Sequence, residues 1–208
     1  MEMKVNINNK STDDRMRRLE EAFQQQTVVS VEDAADLGIS RMLLSKWVRA
    51  GKILRVARGR YQSSQSVPDD LSVLLSLAPR IAASHESALY LNGLSTRCPV
   101  RHSVTVPTGT NPPSAFAASV KTYYVKPELF DIGLCERKTA SGVSVPCYDA
   151  ARTICDVLRS RSRIDVETLH DALRRYAGWN GRDLNRLSSY ARIFRLERVV
   201  SVYMGALL

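Results

Sequence analysis

Between positions 41 and 60 the chain carries Arg41, Lys46, Arg49, Lys52, Arg55, Arg58 and Arg60 and no acidic residue. Guanidinium forks and ammonium groups are the side chains that bind phosphate, the arginines by paired hydrogen bonds and the lysines as point charges. Ser40, Met42 and Ser45 are interleaved with them. A polar and cationic helix face of this kind suits a major groove, where arginine and lysine can read guanine edges as well as grip the backbone. The chemistry indicated is nucleic-acid recognition.

Two short helices and a hairpin are needed to present these groups. Ser30, with Asp33 three residues later, forms a capping arrangement that starts a helix at Val31, and the acid is favoured by the helix dipole. Gly38 stops that helix, because a tight corner needs a left-handed residue. Ser40 caps a second helix over residues 41–50, and Gly51 ends it. Ala34 allows the helices to cross closely, while Leu37, Ile39, Leu44, Trp47 and Val48 form the apolar stripe joining them. This spacing is that of a helix-turn-helix, with residues 41–50 as its recognition helix. Residues 52–62 alternate Ile53 and Val56 with basic side chains around Arg58-Gly59, as a hairpin wing would. The expected DNA contacts are therefore Ser40, Arg41, Met42, Ser45, Lys46, Arg49, Lys52, Arg55, Arg58 and Arg60.

Other chemistries have less support. Cys98, Cys135, Cys147 and Cys155 show no CxxC spacing, and His85, His102 and His170 are not at ligand intervals from them. The thiols are expected as small core hydrophobes. No metal and no cofactor is expected, and no P-loop, GxSxG or GxGxxG signature is present. Asp131 with Glu136 and Lys138 has the residue types of a metal-dependent nuclease, but the spacing is poor. No enzymatic activity is expected.

The 208 residues carry a formal charge of +9 and 44% hydrophobic residues, enough for two domains and an anionic partner. No run of eighteen apolar residues occurs and the first residues are polar, so a cytoplasmic protein with no membrane association is expected. Residues 14–26 have Met16, Leu19, Ala22 and Phe23 at helical intervals and supply a first helix to the winged domain. The polar run at 63–70 marks a boundary, giving domains at 1–66 and 67–208. Helical stretches are expected at 71–77 and 81–91, strands at 102–106, 120–125 and 143–148, and a loop at 107–114. Helices are then expected at 150–161, 166–176, 182–192 and 196–208. The class is α+β: a winged helix-turn-helix domain followed by a larger domain with a small sheet (about 100–148) and a helical region (149–208).

Five blocks in order give the chain a resemblance to a known family. They are residues 31–40, the wing at 51–61, the block opening Ser84-His85-Glu86-Ser87-Ala88, Val104-Thr105-Val106-Pro107, and Ala151-Arg152-Thr153-Ile154-Cys155-Asp156. Together they resemble the AbiEi family of type IV antitoxins. The resemblance implies a regulator that binds double-stranded operator DNA at inverted repeats, represses its own operon, and counteracts a cognate nucleotidyltransferase toxin, with direct contact to that toxin left open. Candidates for antitoxicity are Arg152, Asp156, Arg174 and Arg175, within an arginine-rich C-terminal region whose default reading is a solvated surface, with an extended DNA footprint or an acidic toxin surface as the alternatives. Two alternatives stand beside it: a ligand-responsive winged-helix repressor, and a metal-dependent nuclease.

Overall fold

A computed structural model describes residues 7–66, 69–110, 120–205 and 207. The chain divides into two compact units, Met1–Leu77 and Ala78–Leu208. The junction expected from sequence lay after residue 66, next to residues 67 and 68, which are outside the described set.

The first unit contains α1 (Ile7–Gln25), β1 (Val29–Ser30), α2 (Val31–Asp36), α3 (Arg41–Arg49), β2 (Ile53–Ala57), β3 (Arg60–Ser63) and α4 (Asp70–Leu75). Its strands form an antiparallel sheet in the order β1-β3-β2. Leu19, Val29, Ala34, Ile39, Leu44, Trp47, Ile53 and Tyr61 form the buried core, so α1, α2, α3 and the sheet meet around one apolar centre. Strand β1 was not foreseen; its two residues seat the wing against the start of α2, with Val31 N–H donating to Gly59 C=O at 3.0 Å.

The second unit continues with β4 (Ala82–Ala83), α5 (His85–Leu91), β5 (His102–Pro107), β6 (Val120–Val125), β7 (Leu134–Lys138), β8 (Ser144–Tyr148), α6 (Ala150–Arg159), α7 (Val166–Gly178), α8 (Leu184–Ile193) and α9 (Glu197–Met204). Its mixed five-stranded sheet runs β6-β5-β4-β8-β7. The β5/β6 and β4/β8 pairs are parallel, the β4/β5 and β7/β8 pairs antiparallel. Helix α6 is the hub: every residue from Ala150 to Leu158 is buried, and α5, α7, α8 and α9 all pack on it.

Three local readings change. Residues 81–91 are not one helical stretch, because Ala82–Ala83 is the middle strand of the sheet and α5 begins only at His85, whose φ of +46° interrupts a continuous helix. The charged segment Leu134–Lys138 is the edge strand β7, in keeping with the use of charge to protect sheet edges. The last helix is Glu197–Met204, ending at Gly205, and residues 206 and 208 of the expected 196–208 lie outside the described set. Residues 111–114 of the expected loop lie outside the described set. Among the described residues no helix is long and apolar enough to cross a membrane.

Candidate nucleic-acid interface

Helix α3 is fixed at both ends by backbone hydrogen bonds. The Ser30 side chain accepts from Asp33 N–H at 2.9 Å and the Asp33 carboxylate accepts from Ser30 N–H at 2.8 Å, a reciprocal capping box that starts α2. These bonds from Ser30, with the nearby Arg60 guanidinium, hold the Asp33 carboxyl below its ordinary range. At the corner, Ile39 N–H donates to Ala34 C=O and Gly38 N–H to Ala35 C=O, both at 2.9 Å, a Schellman closure with Gly38 at φ +75°. Ala34 and Ile39 are both buried, which supplies the apolar contact that accompanies this motif. Ser40 then caps α3 by accepting from Leu43 N–H at 3.3 Å. The same closure recurs after α3, where Lys52 N–H donates to Trp47 C=O at 3.0 Å and Gly51 N–H to Val48 C=O at 3.1 Å.

With Leu44 and Trp47 in the core, the opposite face of α3 is open to solvent. Ser40, Arg41, Met42, Ser45, Lys46 and Arg49 are all exposed, as are Lys52, Arg55 and Arg58. Arg60 is half-buried near Asp33. Met42 is 81% exposed, the most exposed large hydrophobic residue among the described residues of the first unit. Besides the Ser40 cap, two of these side chains are already engaged: Ser45 Oγ donates to Arg41 C=O at 2.9 Å, and Arg55 Nε donates to Ala57 C=O at 3.4 Å. The latter spans the bulge in β2, where the pairing with β3 shifts between Arg55 and Ala57. The surface is therefore a cationic helix face beside a cationic hairpin, with Gly59 (φ +71°) turning the hairpin tip next to Arg58.

The candidates of the second unit are placed differently. Arg152 and Asp156 have side-chain exposures of 0% and 1%. Arg152 Nε donates to Asp156 Oδ2 at 3.0 Å, and its Nη1 donates to the carbonyls of Leu129 and Ile132. The guanidinium carbon lies 4.1 Å from the Tyr148 ring centroid and 4.2 Å from that of Phe194. Arg159 donates to the second oxygen of Asp156 at 3.1 Å. Burial pushes the Asp156 carboxyl up while the two guanidiniums draw it down. These residues cannot touch a partner from inside the core, so any role in antitoxicity must be that of positioning residues. Arg174 is exposed, and Arg175 is paired with Asp171 at 2.7 Å.

Sequence reasoning used the His85 block for resemblance alone and gave it no site role, yet its side chains are held in place on several sides. His85 is fully buried at a left-handed φ, with Nδ1 3.0 Å from Ser84 Oγ and Nε2 3.0 Å from Ser160 Oγ. Its ring stacks on Tyr123 at 3.4 Å. Burial, reinforced by Arg159, Arg163, Arg152 and Lys121, pushes the imidazole well below its ordinary range. It is a neutral hydrogen-bonded core histidine. Next to it, Glu86 accepts from Ser103 at 2.7 Å and from Lys121 at 2.6 Å, at the edge of a cleft of about 310 Å³ that also involves Arg97, Arg101 and Thr168. In the sequence, the serines on either side of His85-Glu86 were the one local hint of these hydrogen bonds.

The acids weighed for nuclease chemistry have other partners: Asp131 accepts from Arg80 at 3.1 Å and Glu136 accepts from Ser144 at 2.6 Å. Among the described residues no group of three or more His, Cys, Asp or Glu side chains could hold a metal ion. The expectation of core thiols fits Cys147 and Cys155, which are buried; Cys135 is half-buried and Cys98 is exposed.

The comparisons with known proteins bear on this interface directly. A family described as "Transcriptional regulator, AbiEi antitoxin" matches residues 17–64. That span runs from α1 through β3 and contains every expected DNA contact. The match supports the AbiEi family. No curated protein matches the chain. Among solved structures, the chain is similar to the crystal structure of the RV2827C protein from Mycobacterium tuberculosis, at 14% identity and a TM-score of 0.58, covering 92% of this chain and 80% of that one. At that identity the likeness is one of fold, and it spans both units.

Proposed function

We propose that the protein is the antitoxin of a type IV toxin–antitoxin system, cytoplasmic and without catalytic activity. Its first unit places α3 in the major groove of operator DNA at inverted repeats and its wing on the adjoining backbone, repressing its own operon. The second unit counteracts a nucleotidyltransferase toxin. The observation that carries the DNA part is the solvent-facing surface of α3 and the wing, where nine of the ten expected contacts are exposed on a framework that matches AbiEi regulators. The domain division and the antitoxic role of Arg152, Asp156, Arg174 and Arg175 belong to the same proposal.

The test has two arms. In the first, Arg41→Ala and Lys46→Ala weaken binding to the DNA upstream of the gene, by about 1–3 kcal/mol for a residue that reads a guanine edge, without changing the melting temperature. In the second, these non-repressing variants, expressed from a foreign promoter, still rescue growth from the toxin encoded beside the gene. Unchanged affinity in both variants refutes the groove assignment, and failure of the parent protein to rescue refutes the antitoxin. A ligand-responsive repressor is the second reading, favoured by the cleft beside Glu86 and Lys121; release of DNA on adding a metabolite, with no toxin rescue, would establish it.

A further inference from the structure

The reading face of α3 carries one side chain that neither core packing nor charge accounts for. Met42 lies in the first turn of the helix and shares a face with Ser45, Lys46 and Arg49, three, four and seven residues further on. The interior is filled by Leu44 and Trp47, with Leu43 and Val48 packed against them, and Met42 is 81% exposed. Residues in the N-terminal part of a recognition helix are those that meet base edges. Ser45, one turn along, has its hydroxyl proton committed to Arg41 C=O at 2.9 Å, so towards a groove it presents an acceptor. Arg41, Lys46 and Arg49 present donors only. Met42 therefore presents a polarisable apolar surface in the middle of a polar face, and the apolar group that the major groove offers is the C5-methyl of thymine.

We infer that Met42 is a specificity-determining residue that packs on a thymine methyl group, committing one base pair of each half-site to T·A. The inference rests on the proposed operator binding and adds the base chemistry that the binding recognises. The contact carries no hydrogen bond, so the methyl group alone decides it, and it is independent of the phosphate contacts that set overall affinity.

The experiment uses the full chain and duplexes it selects from a random pool, with each thymine of the selected half-site replaced in turn by deoxyuridine, which removes only the methyl group. The expected result is one thymine per half-site whose replacement weakens binding about fourfold, the value of burying one methyl-sized group. In Met42→Ala that step disappears and thymine and deoxyuridine bind alike, whereas Met42→Leu retains it and Arg41→Ala binds more weakly but also retains it. Specific binding with no methyl-dependent position, or a step that persists in Met42→Ala, overturns the inference and leaves the proposed operator binding standing. If the pool yields no preferred sequence, the proposed operator binding fails and the inference fails with it.

Discussion

Replacing Arg152 by methionine removes a guanidinium from the centre of the second unit while roughly preserving its volume. The loss can be built up from contacts. Asp156, 1% exposed, keeps Arg159 but loses the partner at 3.0 Å, and breaking a buried ion pair from one side costs about 3–5 kcal/mol. The carbonyls of Leu129 and Ile132 lose their donor, at about 1 kcal/mol each if nothing replaces it. A domain with a total stability of about 5–15 kcal/mol is left marginal by such a change. The cost is limited by protonation. Without Arg152 the buried carboxyl, already pushed up, rises further, and the neutral form is tolerated. A group whose folded pKa is raised loses stability as pH rises, so Arg152→Met should be more damaging at pH 8 than at pH 5. Arg152→Met/Asp156→Leu, which removes both charges, should recover most of the loss. The assay is urea unfolding of the full chain in a Trp47→Phe background, where Trp179 is the remaining tryptophan and reports the second unit. A loss below about 1 kcal/mol, or a double variant no more stable than the single one, would refute the account of a buried pair held by mutual compensation. Toxin rescue should follow stability across the series, because neither side chain reaches the surface.

Three further outcomes follow from the same geometry. Arg58→Ala, at the exposed tip of the wing, should reduce the slope of log affinity against log salt by about one and weaken unrelated sequences equally; an unchanged slope would remove Arg58 from the phosphate contacts. Gly51→Ala should cost the first unit about 1–2 kcal/mol, read from its thermal unfolding, because φ is +67° and nothing lies within 4 Å of the added Cβ, so the cost is all backbone. His85, whose folded pKa is depressed, contributes stability that is complete above pH 6.5 and lost as pH falls through that value, at up to about 1.4 kcal/mol per pH unit. His85→Asn, a residue tolerant of left-handed φ, should flatten that part of the stability profile, and a parent protein equally stable at pH 7 and pH 5.5 would contradict the buried neutral ring.

The first unit was readable because its determinants are local. Ser30 and Asp33 bond to each other across three residues, and Gly38 and Gly51 each close a helix within a single turn, so composition and spacing carried the geometry. The second unit depends on distant partners. A strand of two alanines has no periodicity to detect, and β4 exists only because β5 and β8 arrive on either side of it. The charges of β7 suggested a metal site and serve instead a sheet edge, with Glu136 bonded to Ser144 on the next strand. The spacing of Arg152 and Asp156 is that of an i,i+4 pair, but their burial, imposed by Leu129, Ile132, Tyr148 and Phe194, has no local signal. The constraint on His85 comes from Ser160, seventy-five residues away. The reach of Arg55 and Arg60 also differs from the simple wing picture, since one folds back onto Ala57 and the other lies near Asp33.

Helix α3 has nine residues, fewer than the twelve to fifteen or so below which isolated helices are marginal in water. Its shape is therefore a property of the whole first unit, lent by Leu44 and Trp47 beneath it and by the turns at either end. Under the proposed operator binding, reading DNA and staying folded are one linked equilibrium. Operator at a hundredfold excess over its dissociation constant would stabilise the first unit by about 2.7 kcal/mol, roughly a hundredfold change in the unfolded population. Regulator molecules seated on the operator would thus be the ones shielded from proteolysis, and the unbound pool would be the first to be cleared when the cell degrades it.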